Sequence, residues 1–185
     1  MAFLSATEPI IRFSLALLLG GSHIQAAQGQ SLDEYQVKAA FLFNFAKFVE
    51  WPAQTFRSPT DPINICILGQ DPFGDALEHA VKGKTVETRV FLVPFRISEV
   101  HQASGCQILF ISSTERKRVR AILAELKAPG VLTVGETEGF AVQGGMINFK
   151  LEDGRVRLEV NVEATERGQL RISSKLLNLA QIVRK

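Results

Sequence analysis

From residue 32 to Pro52 two positions in three are apolar, and most of the polar ones recur at helical spacing. At 100° per residue, Gln36, Asn44, Lys47 and Glu50 share one narrow stripe. Ser31 is followed three residues later by Glu34. That capping-box pattern predicts a helix starting at Leu32 and stopping near Trp51-Pro52. A helix this apolar is expected to be buried on more than one side. Phe43 breaks the pattern by falling inside the polar stripe. An aromatic there predicts an exposed partner-binding surface, shared with Asn44 and Lys47.

Strands and helices then alternate. Residues 63–68 read as a buried strand ended by Gly69, and residues 72–81 as a short helix closed by Gly83. Residues 85–93 read as a strand, residues 98–102 as a short helical segment, and residues 106–111 as the next strand. Residues 115–127 form an amphipathic helical pattern stopped by Pro129-Gly130, and residues 131–134 a fourth strand. The C-terminal part changes rhythm. Residues 146–151 and 155–162 read as strands joined through Glu152-Asp153-Gly154, where Asp-Gly supplies tight-turn chemistry. A final helix is expected from about Ser174 to Val183, with Leu176, Leu179, Ala180 and Val183 on one stripe. The expected fold class is α/β. It is a single domain over residues 31–185, a mixed and mostly parallel sheet with helices on both faces, a C-terminal antiparallel hairpin and a final helix.

The first 29 residues read differently. Arg12 precedes the apolar run Phe13-Ser14-Leu15-Ala16-Leu17-Leu18-Leu19, and Ala27-Gln28-Gly29 offers small residues to a signal peptidase. The run is too short to span a bilayer, so residues 1–29 read as a cleaved signal peptide of an exported protein starting near Gln28 or Gln30. The competing reading is an uncleaved amphipathic helix. Cys66 and Cys106 are the only cysteines. In an oxidising compartment such a pair predicts a disulfide; the alternative is two buried thiols.

Composition narrows the function classes. Hydrophobic residues make up 46% and charged residues 22%, an ordinary globular balance, and the net charge is only +2. The one basic run, Arg116-Lys117-Arg118 with Arg120, reads as a solvated helix start, which argues against a nucleic-acid partner. His23, His79 and His101 are scattered, so no metal is expected.

A parallel sheet presents ligands at the carboxyl ends of its strands. Gly69-Gln70-Asp71-Pro72-Phe73-Gly74 follows the first strand and matches neither a dinucleotide nor a P-loop fingerprint. It reads as a structural turn or as a small-ligand contact through Gly69, Asp71 and Phe73. Ser112-Ser113 stands where a phosphorelay receiver would need carboxylates. Glu136 and Glu138 read as exposed turn carboxylates rather than an acid/base pair. Arg155, Arg157 and Glu159 alternate to one face of their strand. They are either solvated or, in Arg157 and Glu159, part of an ionic recognition patch. No Ser/His/Asp set and no G-x-S-x-G occurs. A binding protein without a cofactor is expected, not an enzyme.

Residues 38–52, Lys-Ala-Ala-Phe-Leu-Phe-Asn-Phe-Ala-Lys-Phe-Val-Glu-Trp-Pro, resemble the opening signature of YfiR-like periplasmic proteins. Similar to that family, in order and spacing, are the Cys66 strand with Gly69, Asp71, Pro72 and Phe73, and the segment from Cys106 through Ile111. So are Gly144-Gly145-Met146-Ile147-Asn148-Phe149 and Ile172-Ser173-Ser174-Lys175-Leu176-Leu177. The resemblance implies a soluble periplasmic repressor of an inner-membrane diguanylate cyclase, which lowers cyclic di-GMP and biofilm formation. It also implies a homodimer, a disulfide matching Cys66 and Cys106, and relief by redox state and an outer-membrane lipoprotein. A second cysteine pair found in some relatives is missing here, so its redox control does not carry over. The alternative is a single-lobe periplasmic small-molecule sensor for another membrane signalling or uptake system.

Overall fold

The computed structural model describes residues 24–184; most of the expected signal segment, residues 1–23, lies outside them. The long apolar helix forms as α1 (Ile24–Phe48). It passes through Ser31, so the expected start at Leu32 is not a boundary. Ala26, Ala27 and Gln28 are good helix formers and carry the backbone past it. After α1 come β1 (Val49–Glu50), β2 (Ile65–Leu68), α2 (Ala76–Val81), β3 (Thr85–Val86), β4 (Arg89–Val90), β5 (Phe95–Ile97) and β6 (Ile108–Ile111). The chain continues with α3 (Val119–Glu125), β7 (Leu132–Gly135), β8 (Ile147–Glu152), β9 (Arg155–Asn161) and α4 (Val162–Arg167). It ends in β10 (Arg171–Ile172), α5 (Ser174–Leu177) and β11 (Ala180–Val183).

One seven-stranded sheet organises these elements, in the order β11-β9-β8-β7-β6-β2-β5. From β5 to β8 all neighbours run parallel. The turn at Asp153-Gly154 then reverses the chain, so β9 is antiparallel to β8 over six residue pairs. Two expectations change in detail. Residues 85–93 do not form one strand: Glu87 takes a left-handed φ of 54° and folds the segment into the β3–β4 hairpin. The final helix is a single turn, α5, after which β11 pairs parallel to β9. Ile182 and Val183 favour a strand, and pairing them covers the otherwise open edge of β9.

Both faces of β2, β6 and β7 are buried, which explains their continuous apolar sequence. On one face α1 packs over Ile65, Ile67, Ile108, Phe110, Val134, Phe149 and Val160. Phe45 stacks on Phe149 at 5.9 Å, and Phe73 meets Phe110 edge-on at 4.8 Å. The opposite face holds Cys66, Leu68, Leu109, Ile111, Val119, Ile122 and Phe140. There Cys66 and Cys106 are joined by a disulfide, with their Cα atoms 5.9 Å apart. Gly145 is required at this spot, because a Cβ would stand 2.0 Å from the Phe140 ring.

This second core ends at Phe140. Beyond β7 the same face of β8, β9 and β11 carries Asn148, Lys150, Arg155, Arg157, Glu159 and Gln181, as the strand register dictates. No helix covers this charged platform with an apolar contact among the described residues.

Candidate functional site

The loop after β2 is closed. Gly69 has a φ of +91°, and a Cβ there would lie 2.6 Å from Thr114 Oγ1. The Gln70 N–H donates to that same hydroxyl at 3.1 Å. Asp71 accepts from the Phe73 N–H at 2.8 Å and pairs with Arg96 at 2.7 Å. Phe73 is buried between Tyr35, at 5.5 Å, and Phe110. The residues expected to contact a small ligand are thus engaged within the chain. Thr114, from the loop after β6, packs directly against Gly69.

Glu136 corrects a second expectation. Its place in the turn after β7 predicts an exposed carboxylate, yet its side chain is only 4% exposed. Lys38, itself 5% exposed on α1, pairs with Glu136 at 2.7 Å and with Glu34 at 2.5 Å. Tyr35 donates its O–H to Glu136 at 3.1 Å, and the backbone N–H of Ser113 donates to the other carboxylate oxygen at 3.1 Å. Burial first, and then the neighbouring carboxylates of Glu136 and Glu34, push the Tyr35 phenol above its ordinary range. This network ties α1 to the loops after β6 and β7. Glu138, by contrast, is exposed as expected. The sequence carried a signal for Lys38. It lies off the polar stripe, and a charge on the apolar side of a helix needs a buried partner.

Phe43 is not the exposed aromatic its helical position suggested. It is 8% exposed, packs 5.3 Å from Phe91, and has the Lys47 and Lys84 ammonium groups 4.3 Å and 4.7 Å from its ring centroid. The polar stripe of α1 is narrow, and α2 and the segment after β4 pack along it. Asn44 is half-buried in a shallow hollow with Gln36, His79 and Lys84, and Lys47 is exposed. Phe43→Ala should therefore destabilise the fold by about 3 kcal/mol. Urea unfolding measures this; a loss near the ~0.5 kcal/mol of surface changes would return Phe43 to the surface.

Arg157 and Glu159 lie elsewhere. Leu158 and Val160 point to the α1 side, so the alternating Arg157 and Glu159 project from the opposite face. The structure does not bring them together with Phe43, Asn44 and Lys47. Arg157 is exposed, while Glu159 accepts from Asn148 Nδ2 at 2.9 Å. Glu136, Glu138 and Glu159 converge instead on one hollow of about 480 Å³. It opens because β7 stops at Gly135 while β8 runs on to Glu152. Asn148 at its floor was missed; its signal is a single amide inside the apolar strand Met146-Ile147-Asn148-Phe149. Among the described residues, no three His, Cys, Asp or Glu side chains are grouped to hold a metal ion. No described helix is long and apolar enough to cross a membrane.

These features define a disulfide-braced α/β domain whose sheet is half covered and presents a charged platform. The chain belongs to the YfiR/HmsC-like family, whose profile matches residues 35–181. Among solved structures it is similar to a conserved domain protein from Vibrio cholerae O1 biovar El Tor, with a TM-score of 0.52 and 10% identity. The match covers 82% of this chain and 60% of that one, and at this identity it speaks for the fold alone. No curated protein matches the chain significantly.

Proposed function

We propose that the protein is an exported periplasmic regulator. It binds the periplasmic part of an inner-membrane diguanylate cyclase and holds it inactive, lowering cyclic di-GMP and restraining biofilm formation. Family membership over residues 35–181 is the observation that carries this reading. The platform on β8, β9 and β11 supports it as the docking surface. Lys150, Arg155 and Arg157 alternate there with Glu152 and Glu159. Such patterned charge sets register and partner choice more than raw affinity. Phe43, being buried, drops out of the proposed surface. Asn44 and Lys47 would serve a separate contact, such as the second copy of a homodimer. Relief by an outer-membrane lipoprotein belongs to the same proposal.

Deleting the gene should raise cyclic di-GMP, and the wild-type gene should restore the low level. Arg157→Glu should accumulate and melt like wild type, since an exposed change costs within about 0.5 kcal/mol, yet fail to restore it. Unchanged cyclic di-GMP after deletion of an expressed gene would overturn the cyclase reading. Full restoration by Arg157→Glu would instead move the docking surface off β9. Mass spectrometry of the native protein tests export: a mature chain should begin near Gln28 or Gln30.

A further inference from the structure

We propose that the hollow beside the projecting half of β8 binds an organic cation that carries an ammonium or guanidinium group. Its wall includes Glu136, Glu138, Asn148, Lys150, Leu151 and Glu159. Lys38 already neutralises Glu136 from behind, at 2.7 Å. That leaves two carboxylates, Glu138 and Glu159, against the single ammonium of Lys150.

Asn148 points to a ligand independently of those charges. It is 2% exposed, and its Nδ2 is committed to Glu159. Its amide oxygen Oδ1 has no hydrogen-bond partner among the described residues. Buried polar atoms left without a partner are rare in native folds, and an amide oxygen can be completed only by a donor. A group that donates hydrogen bonds and carries positive charge meets both demands at once.

Lys150 does not fill that role. Its ammonium lies 2.7 Å from Glu152 and 3.9 Å from Glu159, and its side chain is 46% exposed. It sits on the rim, anchored to a residue outside the hollow, and can swing towards Glu152 to open the way to Glu159 and Asn148. Beside it, Leu151 borders the hollow and is 51% exposed, while the Phe149 side chain is buried on the α1 side of the sheet. Among the described residues these carboxylates do not form a group that could hold a metal ion. A free amine and the Lys or Arg side chain of a bound protein present the same chemistry.

The test is an NMR titration of the ¹⁵N-labelled protein with n-butylguanidinium, using n-butyrate as the control. Saturable shifts are expected at the Asn148 side-chain amide and at Gly139 with the cation only. Glu138→Gln, at an exposed position, should weaken binding about tenfold. Lys150→Met should tighten it, because the resident ammonium no longer competes. A merely structural role for these groups would not move affinity in opposite directions. Absence of saturable shifts, shifts confined to other regions, or weaker binding by Lys150→Met would overturn the proposal. The source of the cation is read from capture of the protein by solubilised membranes. Release by n-butylguanidinium marks a basic side chain of the partner, and unchanged capture marks a free amine.

Discussion

Lys38→Met should destabilise the protein by about 3–5 kcal/mol, the usual cost of removing one partner from a buried ion pair. Lys38 is the only cation the structure places against Glu136 among the described residues, and it also holds Glu34. Methionine keeps most of the volume, so the loss is electrostatic: Glu136 stays buried with a phenol and one backbone N–H as its remaining donors. For a domain of this size that loss lowers the melting temperature on the order of 10 °C. The double variant Lys38→Met, Glu136→Gln should recover much of it, because no uncompensated charge remains. A single-variant loss under about 1 kcal/mol would mean that water reaches the pair and that α1 is not held by it. Tyr35 adds a pH arm. Its phenol is held protonated in the fold, whereas in the unfolded chain it ionises near its ordinary pKa of about 10. Above that pH the unfolded state binds fewer protons than the folded one, so stability should fall as pH rises. Tyr35→Phe should flatten that fall.

The elements that could be read from sequence are those in which one local rule suffices. The apolar runs of β2, β6 and β7 announce strands buried on both faces, and Asp153-Gly154 announces the reversal between β8 and β9. The site was harder, because its contacts join residues far apart in the chain. Lys38 and Glu136 are separated by 98 positions, and neither residue's own surroundings name the other. The apolar excess of α1 predicts burial on more than one side, but it does not say that α2 lies along the polar stripe. Phe43 was misplaced for that reason. The packing of the loop after β2 depends on a threonine hydroxyl from another loop, which no spacing rule encodes. At the C-terminus, Leu176, Leu179, Ala180 and Val183 fit a helical stripe, and the competing partner that wins residues 180–183 is the free edge of β9.

Reduction of the Cys66–Cys106 disulfide should lower stability by about 4 kcal/mol, as loop closure predicts for a cross-link of this span. The two cysteines are 40 residues apart, and the enclosed chain holds α2, the β3–β4 hairpin and the edge strand β5. Both side chains are buried in the apolar cluster under α3. Reduced thiols pack there as small hydrophobes, so the folded state loses little, and the unfolded chain gains most of the freedom. Urea unfolding with and without dithiothreitol should show the lower midpoint on reduction. Cys66→Ala with Cys106→Ala should show at least the same loss. Hydrogen exchange should rise first in β5, which pairs with β2 along one edge only. Coincident unfolding curves would mean that the unfolded chain is already compact between the two cysteines. Two free thiols in protein recovered from the periplasm would remove the cross-link altogether. A loss near 4 kcal/mol is a large share of the 5–15 kcal/mol that typically holds a domain folded, so a chain retained in a reducing cytoplasm should accumulate poorly. On the proposed reading of an exported protein, the disulfide makes a stable fold depend on that export.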